Sequence, residues 1–353
     1  MSHTPRILGL GTAAADSDAS REDSLAMSLD HAGGLDLQRV EALYREAGVK
    51  QRGCTLGLSG MRSQILDTGS GGATTSQRLG HFMHHAGVLG ERAARSALAD
   101  SGHTPSSITH VVTVSCTGAE SPGIDHQLIG LLGLSPDISR THIGFMGCHA
   151  AINALAVASA FVRADPQAVV LVACVELCSL HFQVGETSWD QQVANAIFAD
   201  GAACAVVGSG QGRCGLTQFA SRIFPGTEHL MRWDIGDHGF EMTLSPRVPG
   251  VIKRGISGWL EQWLATHDLQ SDLIAGWAVH PGGRDILEGV RRGLELPHSA
   301  LAASHGILES RGNMSSGTIL WVLSNLLDEL ESGPIVGLSF GPGLTGEAVL
   351  FMK

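Results

Sequence analysis

Apolar residues along the 353-residue chain fall into two alternating patterns. Leu35 to Ala47, Thr75 to Ser101 and Cys148 to Arg163 repeat at a helical period, whereas Val111 to Val114, Val169 to Ala173 and Ala202 to Val207 are short, nearly unbroken apolar runs that read as buried strands. After a glycine-rich break at Gly208 to Gly212 the alternation resumes. Helix is predicted over Gly250 to Thr266, Arg284 to Gly293 and Thr318 to Glu331, and strand over Ala275 to Val279, Ile335 to Phe340 and Ala348 to Met352. This succession predicts an α/β fold of two adjacent halves, although no residue-level repeat is visible.

Three segments place reactive side chains where such elements begin or end. Cys148 lies in Gly144-Phe145-Met146-Gly147-Cys148-His149, a glycine-bracketed turn running into an alanine-rich helix. A thiol at a helix start meets unpaired backbone N–H groups and the positive end of the macrodipole, so its pKa is expected to fall. Cys is also among the most buried residue types, and core filling is the competing reading. His280 ends the strand Ala275 to Val279 and is followed by Pro281-Gly282-Gly283, while Asn313 precedes the helix beginning at Thr318. Alone, the His reads as a satisfied strand-end residue and the Asn as a helix cap. Together the three can supply a nucleophile, its base and an oxyanion donor pair.

The chain resembles the type III polyketide synthases, the chalcone synthase family among the thiolase-like condensing enzymes. The resemblance runs nearly full length, through Ile7-Leu8-Gly9-Leu10-Gly11-Thr12, Gly147-Cys148, Glu176 to Phe182, Phe198-Ala199-Asp200-Gly201-Ala202, His280-Pro281-Gly282-Gly283, Gly312-Asn313-Met314-Ser315-Ser316 and Gly341-Pro342-Gly343-Leu344-Thr345. Ser115-Cys116-Thr117-Gly118 and Glu176-Leu177-Cys178-Ser179-Leu180 look like the bacterial branch that includes tetrahydroxynaphthalene synthases. The resemblance implies a thiolase-like fold, duplicated βαβαβ halves in a layered α-β-α-β-α architecture. The halves divide as 1–210, with the nucleophilic Cys, and 211–353, with the catalytic His and Asn.

It also implies a reaction. Cys148 takes the acyl group of an acyl-CoA starter, malonyl-CoA loses CO₂, and the resulting enolate, held by His280 and Asn313, attacks the acyl-cysteine. Phe198 becomes the gate between a CoA tunnel and the cavity, and Cys116, Thr117, Cys178, His181, Met242 and Ser315 fall at cavity-lining positions. Met242 replaces a gate phenylalanine of plant members, and Ser121, before Pro122, replaces a methionine that reaches into the partner's cavity. Lys50, Arg52 and Arg284 are candidate CoA phosphate or tunnel-mouth contacts. Methionine is adaptable, so an aliphatic acyl starter is the first expectation, and a malonyl-primed route resembling tetrahydroxynaphthalene synthesis the second. The family implies a homodimer that needs no acyl carrier protein, metal or nicotinamide. Alternatives are a ketoacyl-acyl-carrier-protein synthase of the initiating type, a Cys-His-Asn thioester hydrolase, and a non-catalytic interaction protein.

Composition narrows the remaining classes. A formal net charge of −11 without a basic run gives no encouragement to nucleic acid or anionic membrane. Seven cysteines, with no Cys-x-x-Cys pair, suggest reduced thiols in a cytoplasmic protein without zinc or disulfides. The apolar run Ile7 to Ala15 is too short for a signal peptide or membrane span. Gly9-Leu10-Gly11-Thr12-Ala13-Ala14 matches a Gly-x-Gly-x-x-Ala dinucleotide pattern, but the polar stretch Asp16 to Asp23, read as a solvated loop, follows where a helix is required. His81, His84 and His85 recur at helical spacing with no supplementary carboxylate, on a helix whose charged residues read as its outer face.

Overall fold

The computed structural model describes residues 4–31, 34, 36–69, 71–185 and 188–353. Its strands are β1 Arg6–Ala14, β2 Asp18–Ser20, β3 Gln51–Gly53, β4 His110–Ser115, β5 Ser139–Gly144, β6 Val170–Leu177, β7 Asp200–Gly208, β8 Cys214–Ile223, β9 Met231–Gly236, β10 Gly239–Leu244, β11 Gly276–Val279, β12 Pro334–Gly341 and β13 Thr345–Met352. Nine form one mixed sheet in the order β11-β12-β13-β8-β1-β7-β6-β4-β5. The β1–β8 junction holds by only two register pairs, Arg6 with Gly215 and Ile7 with Cys214. That thin seam separates five strands from the first part of the chain from four from the second.

The strands are apolar on both faces because both faces are covered. Val170, Val172 and Cys174 of β6 enter a central core with helices Ala150–Ala164 and Thr318–Glu329, and with strand residues of both parts. The intervening Leu171, Ala173, Val175 and Leu177 face an outer core built on helix Thr75–Ser101. On the other side Val336, Leu338 and Phe340 of β12 meet helices Val248–Ala265 and Arg284–Gly293. The layers are therefore α-β-α-β-α, the thiolase-like arrangement. Burying each such Val or Leu contributes roughly 1.5–3 kcal/mol.

Glycine and alanine keep these layers close. A Cβ on Gly11 of β1 would lie 2.2 Å from the Ala93 carbonyl oxygen, so the Gly-x-Gly that imitates a dinucleotide fingerprint is used to seat helix Thr75–Ser101 on the strand. The central stretch Gly147–Ala164 is long and apolar enough to cross a membrane by length and composition, yet 61% of it is buried between the layers.

Three expectations change. Asp16 to Asp23 is not simply a loop: Asp18–Ser20 pairs with Gln51–Gly53, and Ser20 caps helix Arg21–Asp30 in a reciprocal box with Asp23. Arg78, expected on an outer face, is fully buried and donates to the carbonyls of Ala73, Leu180 and Phe182. The helix predicted from Leu35 is observed over Leu37–Glu46, with Leu35 itself outside the described residues.

Candidate active site

Three tight turns bring the reactive residues together. After β5, Phe145 (φ 57°) and Gly147 (φ 78°) take left-handed conformations, and a short 3₁₀ turn, Gly147–His149, opens helix Ala150–Ala164. Gly147 is required by space as well, since a Cβ there would fall 2.2 Å from Pro342 Cδ. Cys148 is thus held between that turn and the Gly341-Pro342-Gly343 loop, and its carbonyl accepts from Ser339 Oγ at 2.8 Å. His280 caps β11, its backbone N–H donating to Leu338 O at 2.8 Å. Leu338 and Ser339 are consecutive on β12, so one strand fixes both the cysteine and the histidine.

Asn313 arrives from the opposite side, after Gly312 (φ 74°). Its N–H donates to Ile197 O and its carbonyl accepts from Ala199 N–H, both at 2.9 Å, which sets it beside Phe198. Its amide orientation follows from hydrogen-bond chemistry. Oδ1 accepts the Ser315 N–H at 2.9 Å, and a backbone N–H can only donate, so Nδ2 is the opposite end. The Asn313 side chain is in hydrogen-bonding contact with the Cys148 thiol. Ser315 Oγ accepts from the same thiol at 3.8 Å. Both His280 ring nitrogens are buried without a hydrogen-bond partner among the described residues. Buried polar groups are nearly always paired, so an imidazole left open marks a place for a proton or an oxygen to arrive.

Burial pushes the Cys148 thiol up to about 12, outweighing the hydrogen bonds from Ser315 and Asn313 that pull it down. Burial also pushes His280 down to about 3, and neighbouring His149 adds to the effect. The lowering expected for a thiol at a helix start is therefore not observed, because desolvation in an enclosed chamber exceeds the partial charge of the helix end. Each group alone therefore stays neutral.

A cavity of about 30 Å³ fronts Cys148, walled by Cys116, Thr117, Cys178, Phe198, Met242 and Ser315. His181 lies outside it, lining a second cavity of about 30 Å³ that shares Cys178, Phe198 and Trp233 with the first. Its Nε2–H donates to Thr117 O at 2.8 Å, its Nδ1 accepts from Phe240 N–H at 3.1 Å, and its ring stacks on Phe240 at 4.0 Å. Burial pushes it down to about 3, so His181 is a neutral pillar with one fixed tautomer. Thr117 Oγ1 is committed too, donating to the buried carboxylate of Glu176 and accepting from Leu177 N–H.

The candidate phosphate contacts separate. Lys50 is exposed and ion-paired with Glu309, away from the cavities. Arg52 is buried and donates to Ser24 Oγ, Asn195 O and Phe198 O, which makes it a brace behind Phe198 and not an external contact. Arg284 does line an open groove, with Arg39, Arg291, Arg292 and His305. The groove includes Gly282 and Ile197, close in sequence to His280 and Phe198, and also the carboxylates Glu46, Asp285 and Glu288.

Sequence reasoning missed Trp233. This β9 residue faces Met242 across the β9–β10 hairpin, donates its Nε1–H to Cys116 O at 2.7 Å, and places its ring 6.2 Å from Phe198. The alternation Met231-Arg232-Trp233-Asp234-Ile235 is the signal that could have found it.

Residues 29–211 match the family described as chalcone and stilbene synthases, N-terminal domain, and residues 216–353 match its C-terminal domain. The chain is 34% identical over 290 residues to the alpha-pyrone synthesis polyketide synthase-like Pks18 of Mycobacterium tuberculosis, covering 79% of this chain and 74% of that one. It is 33% identical over 326 residues to 1,3,6,8-tetrahydroxynaphthalene synthase of Streptomyces peucetius subsp. caesius, covering 90% and 84% respectively. Among solved structures it superposes on PKS-I from the brown alga Ectocarpus siliculosus with a TM-score of 0.92 at 28% identity, over 100% of this chain and 99% of the other.

Proposed function

The chain belongs to the chalcone and stilbene synthase family, the type III polyketide synthases, and on that premise we propose that Cys148, His280 and Asn313 carry its condensation chemistry. The observation that carries the assignment is the open buried imidazole of His280 together with an Asn313 amide whose donor end is fixed at the thiol. The Cys148 proton passes to His280 as sulfur attacks the acyl-CoA carbonyl. CoA leaves as a thiolate and takes up a proton, and the acyl group stays on Cys148. Malonyl-CoA then loses CO₂, its electron pair forming an enolate whose oxygen takes N–H donors from Asn313 Nδ2 and His280. The enolate carbon attacks the acyl-cysteine and frees the Cys148 thiolate, and rounds of extension end in cyclisation.

Acyl-CoA and malonyl-CoA are the substrates of this reading, with no carrier protein and no cofactor. The groove bearing Arg284 and Arg39 suits the CoA phosphates, and Phe198, next in sequence to Ile197 of that groove, lines the cavity. Walls of Met231, Met242, Cys116 and Cys178 favour an aliphatic acyl starter, with malonyl priming as the second reading. A homodimer and the division 1–210 and 211–353 complete the proposal. The dimer is supported by β5, an edge strand followed by Phe145 and Met146, which are 40% and 41% exposed. The seven free thiols favour a cytoplasmic location.

The assignment is tested by incubating wild type and Cys148→Ala with acetyl-CoA and weighing the intact protein. A covalent acetyl adduct on wild type alone is expected, and an adduct that persists on Cys148→Ala would place the acyl group elsewhere.

A further inference from the structure

Arg52 lies on the short strand β3 and is 7% exposed, yet no carboxylate is among its hydrogen-bond partners in the described residues. The buried carboxylate of Asp200 is occupied instead by the Thr55 N–H and by the N–H and Oγ of Ser179. A guanidinium stays charged inside a protein, and burying one without a counter-ion is costly. What compensates Arg52 is the end of a helix. Its Nη1 donates to the carbonyls of Asn195 and Phe198 at the C-terminus of helix Trp189–Ile197, where unpaired carbonyls and the macrodipole concentrate negative charge. Its Nε donates to Ser24 Oγ at 3.0 Å, which fixes the plane of the group.

The same helix end presents the oxyanion donor. Ile197 O accepts the Asn313 N–H and Asn313 O accepts the Ala199 N–H, both at 2.9 Å, so Asn313 docks on the two residues that flank Phe198. Arg52 also meets the turn before Asn313 directly. A Cβ on Gly312 would lie 3.0 Å from Arg52 Cβ and 2.8 Å from Ala199 Cβ, so three segments of the chain converge there with little room to shift. Cys148 and His280 are fixed from elsewhere, by Ser339 and Leu338 of β12.

We infer that Arg52 is a positioning residue for the decarboxylation step: by closing the helix end it sets Phe198 and Asn313 as one unit, so that malonyl-CoA passing Phe198 brings its thioester oxygen to Asn313 Nδ2. This rests on the condensing function proposed above. Arg52 itself touches no substrate, and loading of Cys148, which depends on residues held by β12, does not require it.

The test compares two rates in each protein: kcat for release of labelled CO₂ from malonyl-CoA, and acetylation of Cys148 by acetyl-CoA followed by intact mass. KM for malonyl-CoA and the urea midpoint are measured alongside. Arg52→Met keeps the stem that packs on Gly312 and removes the donors. In it kcat for CO₂ release falls roughly ten- to hundred-fold, as expected when reacting groups are displaced by about 1 Å. KM and the acetylation rate stay within about two-fold of wild type, because ground-state binding and loading are untouched. Ser24→Ala loosens Arg52 without removing it and gives the same selective loss in smaller measure, so it decides the matter if Arg52→Met does not fold. A ratio of the two rates unchanged from wild type, whether both hold or both fall together with the midpoint, overturns the inference alone. A wild type that neither releases CO₂ nor is acetylated overturns the reading of the site, and this inference with it.

Discussion

Replacing Asn313 with alanine removes two interactions whose consequences differ in kind. The Oδ1 acceptor for Ser315 N–H is a structural contact, and leaving that buried N–H unpaired costs about 1–3 kcal/mol of stability. The Nδ2 donor beside Cys148 is the chemical contact, and removal of one oxyanion donor costs about 10²–10³ in turnover, or ~2.7–4 kcal/mol. Asn313 holds Ile197 and Ala199 through its backbone, so Phe198 keeps its place in the variant. Release of labelled CO₂ from malonyl-CoA reads the chemical contact, and the urea midpoint reads the structural one. Decarboxylation is expected to fall by roughly 10²-fold or more, with Cys148 still acylated by acetyl-CoA. Asn313→Asp separates the effects further, because its carboxylate still accepts from Ser315 and so recovers the midpoint without recovering decarboxylation. Decarboxylation within a few-fold of wild type in a folded Asn313→Ala protein would refute the oxyanion assignment.

Other outcomes follow from the same geometry. Cys148→Ala abolishes condensation without unfolding the protein, which product analysis beside a circular dichroism melt checks. In His280→Ala the buried thiol loses its proton acceptor, so the pH profile of iodoacetamide inactivation moves to higher pH, and a profile superposable on wild type removes the partner role. Gly147→Ala drives a Cβ into Pro342 at a left-handed φ, costing ~1–3 kcal/mol and displacing Cys148, seen as a lowered urea midpoint with slowed acylation. Met242→Phe and Cys116→Trp fill the cavity facing Cys148 and shorten the longest accepted acyl chain, while acylation by small acyl-CoA persists. Identical chain-length profiles would mean that these residues do not meet the chain.

What was legible in the sequence is what periodicity and turn chemistry encode locally. Helices Thr75–Ser101 and Arg284–Gly293 were read to the residue, and the strands of the core to within a few, because two-sided burial leaves unbroken apolar runs. The candidate trio Cys148, His280 and Asn313 stood out because each member sits at a glycine-marked turn. Charge placement did not. Arg52 and Arg78 read as surface cations, yet both are buried and donate to backbone carbonyls of residues more than a hundred positions away, which no local pattern reveals. The thiol pKa went the same way, since helix position is a local property while desolvation depends on the whole chamber. The β9–β10 hairpin went unread because its strands are half exposed and only weakly alternating, and with it went Trp233.

The most direct measurement of the central claim is to incubate the purified chain with malonyl-CoA and acyl-CoA starters, without carrier protein, and to follow CO₂ release and products by mass spectrometry. The account predicts products longer than the starter by whole malonyl-derived units, formed with matching CO₂ and abolished in Cys148→Ala. Release of the free starter acid without CO₂ and without any lengthened product would contradict it.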